Sequence, residues 1–89
     1  MTAIYKQAIE TYGEEEQLNI AIEELSELIK EICKHKRGED NICAIVEEMA
    51  DCYIMFEQMK MIFELDDGRI IDEMNRKTER LKKRLSGEW

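Results

Sequence analysis

The sequence predicts an all-helical protein, because its composition favours helices and no segment alternates in the manner of a strand. Proline is absent and only four of the 89 residues are glycine, so few positions interrupt a helix. Charged residues make up 38% of the chain and hydrophobic residues 44%, which is typical of folded rather than disordered proteins. Apolar residues recur at intervals of three and four. We therefore expect a single all-α domain over residues 1–89.

The spacing of apolar and helix-terminating residues predicts four helices, at residues 2–12, 14–37, 42–63 and 69–86. Gly13 and Gly38 end the first two helices, since glycine readily adopts the left-handed conformation that closes a helix. Acidic residues open the second helix and basic residues close it, an arrangement that complements the helix dipole.

Short turns make consecutive helices antiparallel neighbours. The second and third helices therefore form an antiparallel hairpin, in which Asp40 or Asn41 caps the third helix. Asp66 or Asp67 caps the fourth helix in the same way. The first and fourth helices flank this hairpin.

The third helix is apolar around most of its circumference, although Glu48 and Asp51 lie on or beside its main apolar stripe. A helix of this kind is buried by its own chain or by a partner. Because 89 residues build only a small core, we expect a homo-oligomer in which hairpins assemble into a helical bundle, as a dimer or a dimer of dimers.

Four carboxylates are expected to meet across the hairpin. Glu24 and Glu27 lie one turn apart on the second helix, and Glu48 and Asp51 lie one turn apart on the third. Their distances from the turn differ by roughly 6 Å of helical rise, which a modest stagger removes. Clustered carboxylates repel, and oxygen ligands suit Mg²⁺ or Mn²⁺. A solvated helix face explains Glu24 and Glu27 equally well, since 21 of the 89 residues are acidic.

Charge and hydropathy exclude several classes of partner. The net charge of −8 argues against nucleic acid binding through a basic surface. No uncharged run is long enough to span a bilayer, and no signal peptide opens the sequence, so we expect no membrane partner. The three cysteines form no CxxC motif, which favours a reduced, cytoplasmic setting.

Two acidic motifs, one on each arm of the hairpin, are followed by a basic helix. They read EELSE at residues 23–27 and EMAD at residues 48–51, and the basic helix reads NRKTERLKKRL at residues 75–85. The ordered motifs resemble the EExxE and ExxD of the MazG-like all-α nucleoside triphosphate pyrophosphohydrolases. The resemblance covers residues 17–85.

The resemblance implies hydrolysis of the α–β bond of a nucleoside triphosphate, giving the monophosphate and pyrophosphate, with Mg²⁺ or Mn²⁺ as cofactor. It also implies four metal ligands: Glu24, Glu27, Glu48 and Asp51. Glu23 fills the family's remaining acidic position, as an outer-shell residue or a base, and is assigned to catalysis together with Glu27. The resemblance further implies three substrate contacts: Asn75, Lys77 and Arg80.

A second class of function fits the same sequence. An acidic helical bundle that lacks catalysis would serve as an interaction or regulatory module that binds a partner helix. Mg²⁺ binding together with pyrophosphate release distinguishes the enzyme from this module.

Overall fold

The computed structural model describes residues 2–87, which form four helices. The helices are α1 (Thr2–Tyr12), α2 (Glu14–Lys36), α3 (Ile42–Ile62) and α4 (Asp67–Ser86). The all-helical fold expected from the sequence is confirmed. Every helix begins and ends within two residues of its predicted position.

Glycine residues end α1 and α2, and an aspartate caps α4, as the sequence predicts. Gly13 and Gly38 have φ angles of 93° and 98°, in the left-handed region that other residues rarely adopt. Asp66 precedes α4, and its side chain accepts a hydrogen bond of 2.8 Å from the backbone amide of Arg69. Of the two residues predicted to cap the fourth helix, Asp66 is the one that does so. The helix starts two residues earlier than expected.

Asn41 occupies the N-cap position of α3, as predicted, but the expected capping hydrogen bond is not formed. Its Nδ2 instead donates to the backbone oxygen and to Oε1 of Glu31, both at 2.9 Å. Asn41 therefore fastens the turn to α2 through its Nδ2, whereas its Oδ1, the atom that would cap α3, has no hydrogen-bond partner.

The packing of the chain is concentrated in the α2–α3 hairpin. α1 packs against both arms of this hairpin, whereas α4 makes no comparable contact with any other helix. The smallest dimension of the molecule, 20 Å, is about two helix diameters. Residues 2–87 consequently contain few buried apolar side chains, namely Ala21, Cys52 and Met55.

The hairpin exposes a continuous set of large apolar side chains on one side, which we call the open face. We call the line of contact between α2 and α3 the seam. On each helix, the open-face residues come one position after residues of the seam, so their side chains point about 100° away from it. Because the helices are antiparallel, both sets point to the same side of the hairpin. The open face consists of Ile22, Ile29, Ile32, Ile42, Val46, Met49, Tyr53 and Phe56. Apolar residues at helical spacing on α2, among them Ile22 and Ile29, thus lie on the surface of a single chain.

α4 is amphipathic and largely exposed. Its first turn is tied to α3 by an ion pair between Lys60 and Asp67. An apolar cleft of about 620 Å³ lies between the two helices, lined by residues that include Phe56, Phe63 and Met74. Within residues 2–87, none of the helices combines the length and apolar character needed to cross a bilayer.

Candidate metal centre

Three carboxylates, one from α2 and two from α3, meet at the middle of the hairpin seam. Glu48 and Asp51 lie one turn apart on α3, and Glu24 lies opposite them on α2. One oxygen of each carboxylate lies within 4.8 Å of those of the other two, and all three residues are half-buried. Oxygens that bind a single Mg²⁺ lie at most about 4 Å apart, a separation within reach of three carboxylates held this close.

Glu27, the fourth expected ligand, is not part of this group. Its Oε2 lies 4.0 Å from the Nζ of Lys30 on the same helix. The charge of Glu27 still acts on Glu48, whose pKa it helps to raise. The structure therefore brings together Glu24, Glu48 and Asp51, and a ligand role for Glu27 stays a prediction.

Glu23 lies beside the group but points to solvent. Its side chain is exposed, and its backbone oxygen accepts a hydrogen bond of 2.7 Å from Ser26 Oγ. The charge of Glu23 adds to the rise in the pKa of Glu24. Its predicted part in catalysis is not tested by this position.

Burial and repulsion by neighbouring acids raise the pKa values of Glu24 and Glu48. Burial, a hydrogen bond with Asp51 and the charges of Asp51, Glu48 and Glu23 together raise the pKa of Glu24 to about 7. Burial, followed by the charges of Asp51 and Glu27, raises the pKa of Glu48 above its ordinary value. The protein thus resists full ionisation of the group when no cation is bound.

The group contains an unsatisfied acceptor and has no cationic partner within residues 2–87. Glu48 Oε2 is buried and has no hydrogen-bond partner. None of the ion pairs formed in the described part of the chain involves Glu24, Glu48 or Asp51. A buried acceptor among like charges is costly unless a cation meets it. The oxygen-only donor set fits a hard divalent ion such as Mg²⁺ or Mn²⁺.

Cys52 joins the two arms of the hairpin next to the carboxylates. Its side chain is 2% exposed, and its thiol donates to the backbone oxygen of Glu24 at 3.5 Å. Burial, followed by the charges of Glu24, Glu48 and Asp51, raises the pKa of the Cys52 thiol. Cys52 is therefore a neutral packing residue that holds α3 against α2 at the level of Glu24.

Two polar contacts on either side of the group were not expected from the sequence. Gln17 and Gln58 are hydrogen-bonded to each other at one end of the seam, and Glu31 accepts from Asn41 at the other. Glu31 is 8% exposed, and its bonds with Asn41 and Lys34 hold its pKa below the ordinary value. Glu31 is thus a charged but satisfied residue, unlike Glu48.

The predicted substrate contacts lie on α4, apart from the carboxylates. Asn75, Lys77 and Arg80 are exposed, and Lys77 and Arg80 line a shallow cavity of about 220 Å³ on α4 itself. α4 makes no extensive contact with α2. A single chain therefore does not gather the basic and acidic residues into one site.

Together these features define an all-helical hairpin with a three-carboxylate group at its centre. Comparison of the chain with protein-family models, curated proteins and solved structures gave no significant match.

Proposed function

We propose that this protein is a divalent-metal-dependent nucleoside triphosphate pyrophosphohydrolase, which cleaves the α–β phosphate bond of a (deoxy)nucleotide. The observation that carries the proposal is the Glu24–Glu48–Asp51 group, with its buried, unpaired Glu48 oxygen and no cationic partner among the described residues. The resemblance of the EELSE and EMAD motifs to the MazG-like enzymes selects this chemistry among the reactions that such a metal supports.

In this proposal the carboxylates of Glu24, Glu48 and Asp51 hold Mg²⁺ or Mn²⁺. The bound ion would neutralise the phosphate charges and lower the pKa of an attacking water. Glu27, one turn from Glu24, adds negative charge at the edge of the group and is proposed as a further ligand or a base. Glu23, exposed beside it, is the second candidate for the base.

We further propose that the protein acts as a homo-oligomer. The open face presents eight large apolar side chains, several of them more than half exposed, such as Ile22 at 67% and Tyr53 at 64%. Contiguous apolar patches of this kind mark association surfaces. A second hairpin packed on the open face would complete a four-helix bundle and supply the core that one chain lacks.

Such a bundle would leave the carboxylates accessible to substrate. The open-face side chains point about 100° to one side of the seam, whereas those of Glu27 and Asp51 point about 60° to the other side. The substrate would therefore approach from the side opposite the interface. In the oligomer, Asn75, Lys77 and Arg80 would come from the α4 of another copy, because a chain's own α4 does not pack on its α2.

The alternative is an interaction or regulatory module without catalysis. The open face and the apolar α3–α4 cleft of about 620 Å³ favour this alternative, since both are suited to a partner helix. The group of carboxylates, which has no cationic partner among the described residues, favours the enzyme. A module that only binds an apolar helix has no need of such a group.

Pyrophosphate release tests the proposal. The assay uses a panel of standard and modified nucleoside triphosphates, with Mg²⁺, with Mn²⁺ and with a chelator. We expect release of pyrophosphate rather than orthophosphate, in a metal-dependent manner, from at least one triphosphate. The absence of turnover across the panel, with intact folding, would select the interaction module.

Complementation tests whether α4 acts on another copy. Glu48→Gln and the double variant Lys77→Gln/Arg80→Gln should each be inactive alone. If substrate contacts cross between copies, mixing the two variants restores part of the activity, since some mixed oligomers contain one intact site. A site built within one chain would gain nothing from mixing.

A further inference from the structure

Two buried glutamines form a hydrogen bond across the α2–α3 seam, at the end of the hairpin away from the turn. Gln17 Nε2 donates to Gln58 Oε1 at 2.5 Å, and each residue is 4% exposed. The second polar atom of Gln17, Oε1, is buried without a partner. An apolar pair in this place would avoid the desolvation of the unpaired oxygen. Stability alone therefore does not account for the two glutamines.

The glutamine pair lies one heptad from the carboxylate group on both helices. Gln17 precedes Glu24 by seven residues on α2, and Gln58 follows Asp51 by seven residues on α3. Seven residues correspond to about two helical turns, so each glutamine lies on the same side of its helix as the acid. In an antiparallel hairpin, the register that pairs Gln17 with Gln58 is therefore the one that pairs Glu24 with Asp51.

The same spacing recurs toward the turn. Glu31 follows Glu24 by seven residues, and Asn41 precedes Glu48 by seven. Asn41 donates to Glu31, as described above, and the short connection of residues 37–41 also restrains this end of the hairpin. At the far end no turn connects α2 to α3, although α1 packs against both. Within the seam itself, the hydrogen bond between Gln17 and Gln58 joins the two arms there.

We propose that the hydrogen bond between Gln17 and Gln58 is a positioning contact that fixes the register of α2 against α3, and so keeps Glu24 opposite Glu48 and Asp51. Buried polar residues specify register in helical seams, at a cost in stability, because a displaced register sets them against apolar side chains. The carboxylates supply the need for such a contact, since their repulsion pushes α2 and α3 apart when no cation is bound.

The test separates register from stability and from metal binding. In Gln17→Met/Gln58→Met, methionine matches glutamine in length and shape but removes the hydrogen bond. The register is measured, in the metal-free protein, as the nuclear Overhauser effect between the methyl groups of Ala21 and Met55. Both residues are buried, one turn from the glutamines, so we expect the register that pairs Gln17 with Gln58 to set them opposite each other in the wild type. Gln58→Glu is the matched control, because it keeps an acceptor for the Gln17 amide.

We expect the double variant to remain helical and to melt at the same temperature as the wild type or higher. It should lose the nuclear Overhauser effect between Ala21 and Met55, or show several sets of methyl signals from several registers. Gln58→Glu should keep the single set of methyl signals. Mn²⁺ binding, measured by titration, should weaken about ten-fold or more in the double variant. That part of the proposal rests on the proposed function.

Two outcomes would overturn the positioning role. A double variant that keeps the wild-type methyl contact would show that the glutamines do not set the register. A double variant that no longer folds would show that their role is stability. If the wild type binds no Mn²⁺, the proposed function fails, and the methyl contact alone decides the positioning role.

Discussion

The carboxylates of Glu24 on α2 and Asp51 on α3 approach within 4.8 Å of each other, although 26 residues separate them in the sequence. A carboxylate oxygen of Glu48 lies within the same distance of both, and no basic side chain pairs with any of the three in the described chain. Like charges held in a half-buried seam repel, and either a proton or a cation relieves the repulsion. The hairpin is therefore built around a destabilising contact that a ligand can turn into a stabilising one.

The metal-free protein should lose stability as the pH rises from about 4.5 to about 7. The pKa of Glu24 rises from 4.5 to about 7 on folding, so the folded state binds one more proton than the unfolded state in this range. The free energy of unfolding then falls with increasing pH. The raised pKa of Glu48 acts in the same direction. Thermal melts in the presence of a chelator, from pH 4.5 to pH 7.5, measure this slope.

Glu24→Gln is the control for this pH dependence, because glutamine does not titrate. The variant should show a flatter profile over the same range. The lowered pKa of Glu31 contributes the opposite slope, but only below its ordinary value of 4.5, so it does not mask the effect. A wild-type stability that rises between pH 5 and pH 7 would contradict the arrangement of the three acids.

Mg²⁺ or Mn²⁺ should raise the melting temperature at pH 7.5. At a hundred times the dissociation constant, a single bound ion adds about 2.7 kcal/mol to the free energy of unfolding. The measurement compares melts with chelator, with Mg²⁺ and with Mn²⁺, in the wild type and in Glu48→Gln. The shift should shrink strongly in the variant. An equal shift in both proteins would place the ion elsewhere.

The sequence was sufficient to predict the helices because their ends are marked by local chemistry. Gly13 and Gly38 adopt the left-handed backbone that glycine favours, and Asp66 caps α4 through its side chain. Such signals act within a few residues and do not depend on the rest of the fold. The antiparallel hairpin then follows from the short turn, and with it the meeting of Glu24 with Glu48 and Asp51.

The sequence was not sufficient to predict which apolar face of the hairpin is buried. α2 carries two adjacent heptad patterns, one through Gln17, Glu24 and Glu31 and the other through Ile22 and Ile29. Hydrophobicity favours the second pattern, but the structure buries the first against α3 and leaves the second exposed. The polar residues of the buried face are satisfied mainly by partners on or next to α3, which local patterning does not reveal.

Association through the open face should be removed by a single charge. Val46, 60% exposed at the centre of the open face, is replaced in Val46→Glu, which would place a charge in the proposed interface. We expect the wild type to sediment as a dimer or larger and the variant as a monomer at micromolar concentration. Ile4→Glu is the control, because Ile4 is 66% exposed on α1 and does not belong to the open face as defined. A monomeric wild type would contradict this interface.

Glu48→Gln should separate catalysis from folding, because it keeps the size of the side chain and removes one charge from the group. If Glu48 is a metal ligand, pyrophosphate release should fall by orders of magnitude, about a hundred-fold or more, since the position of the ion controls both the water and the phosphates. Stability without metal should stay the same or rise, because repulsion of Glu48 by Asp51 and Glu27 is removed.

Glu15→Gln is the surface control, since Glu15 is exposed in the first turn of α2. Activity and melting curves are measured with and without Mg²⁺ on all three proteins. Retained activity in Glu48→Gln would end the catalytic assignment of this residue, whereas opposite changes in activity and metal-free stability are the signature of a ligand.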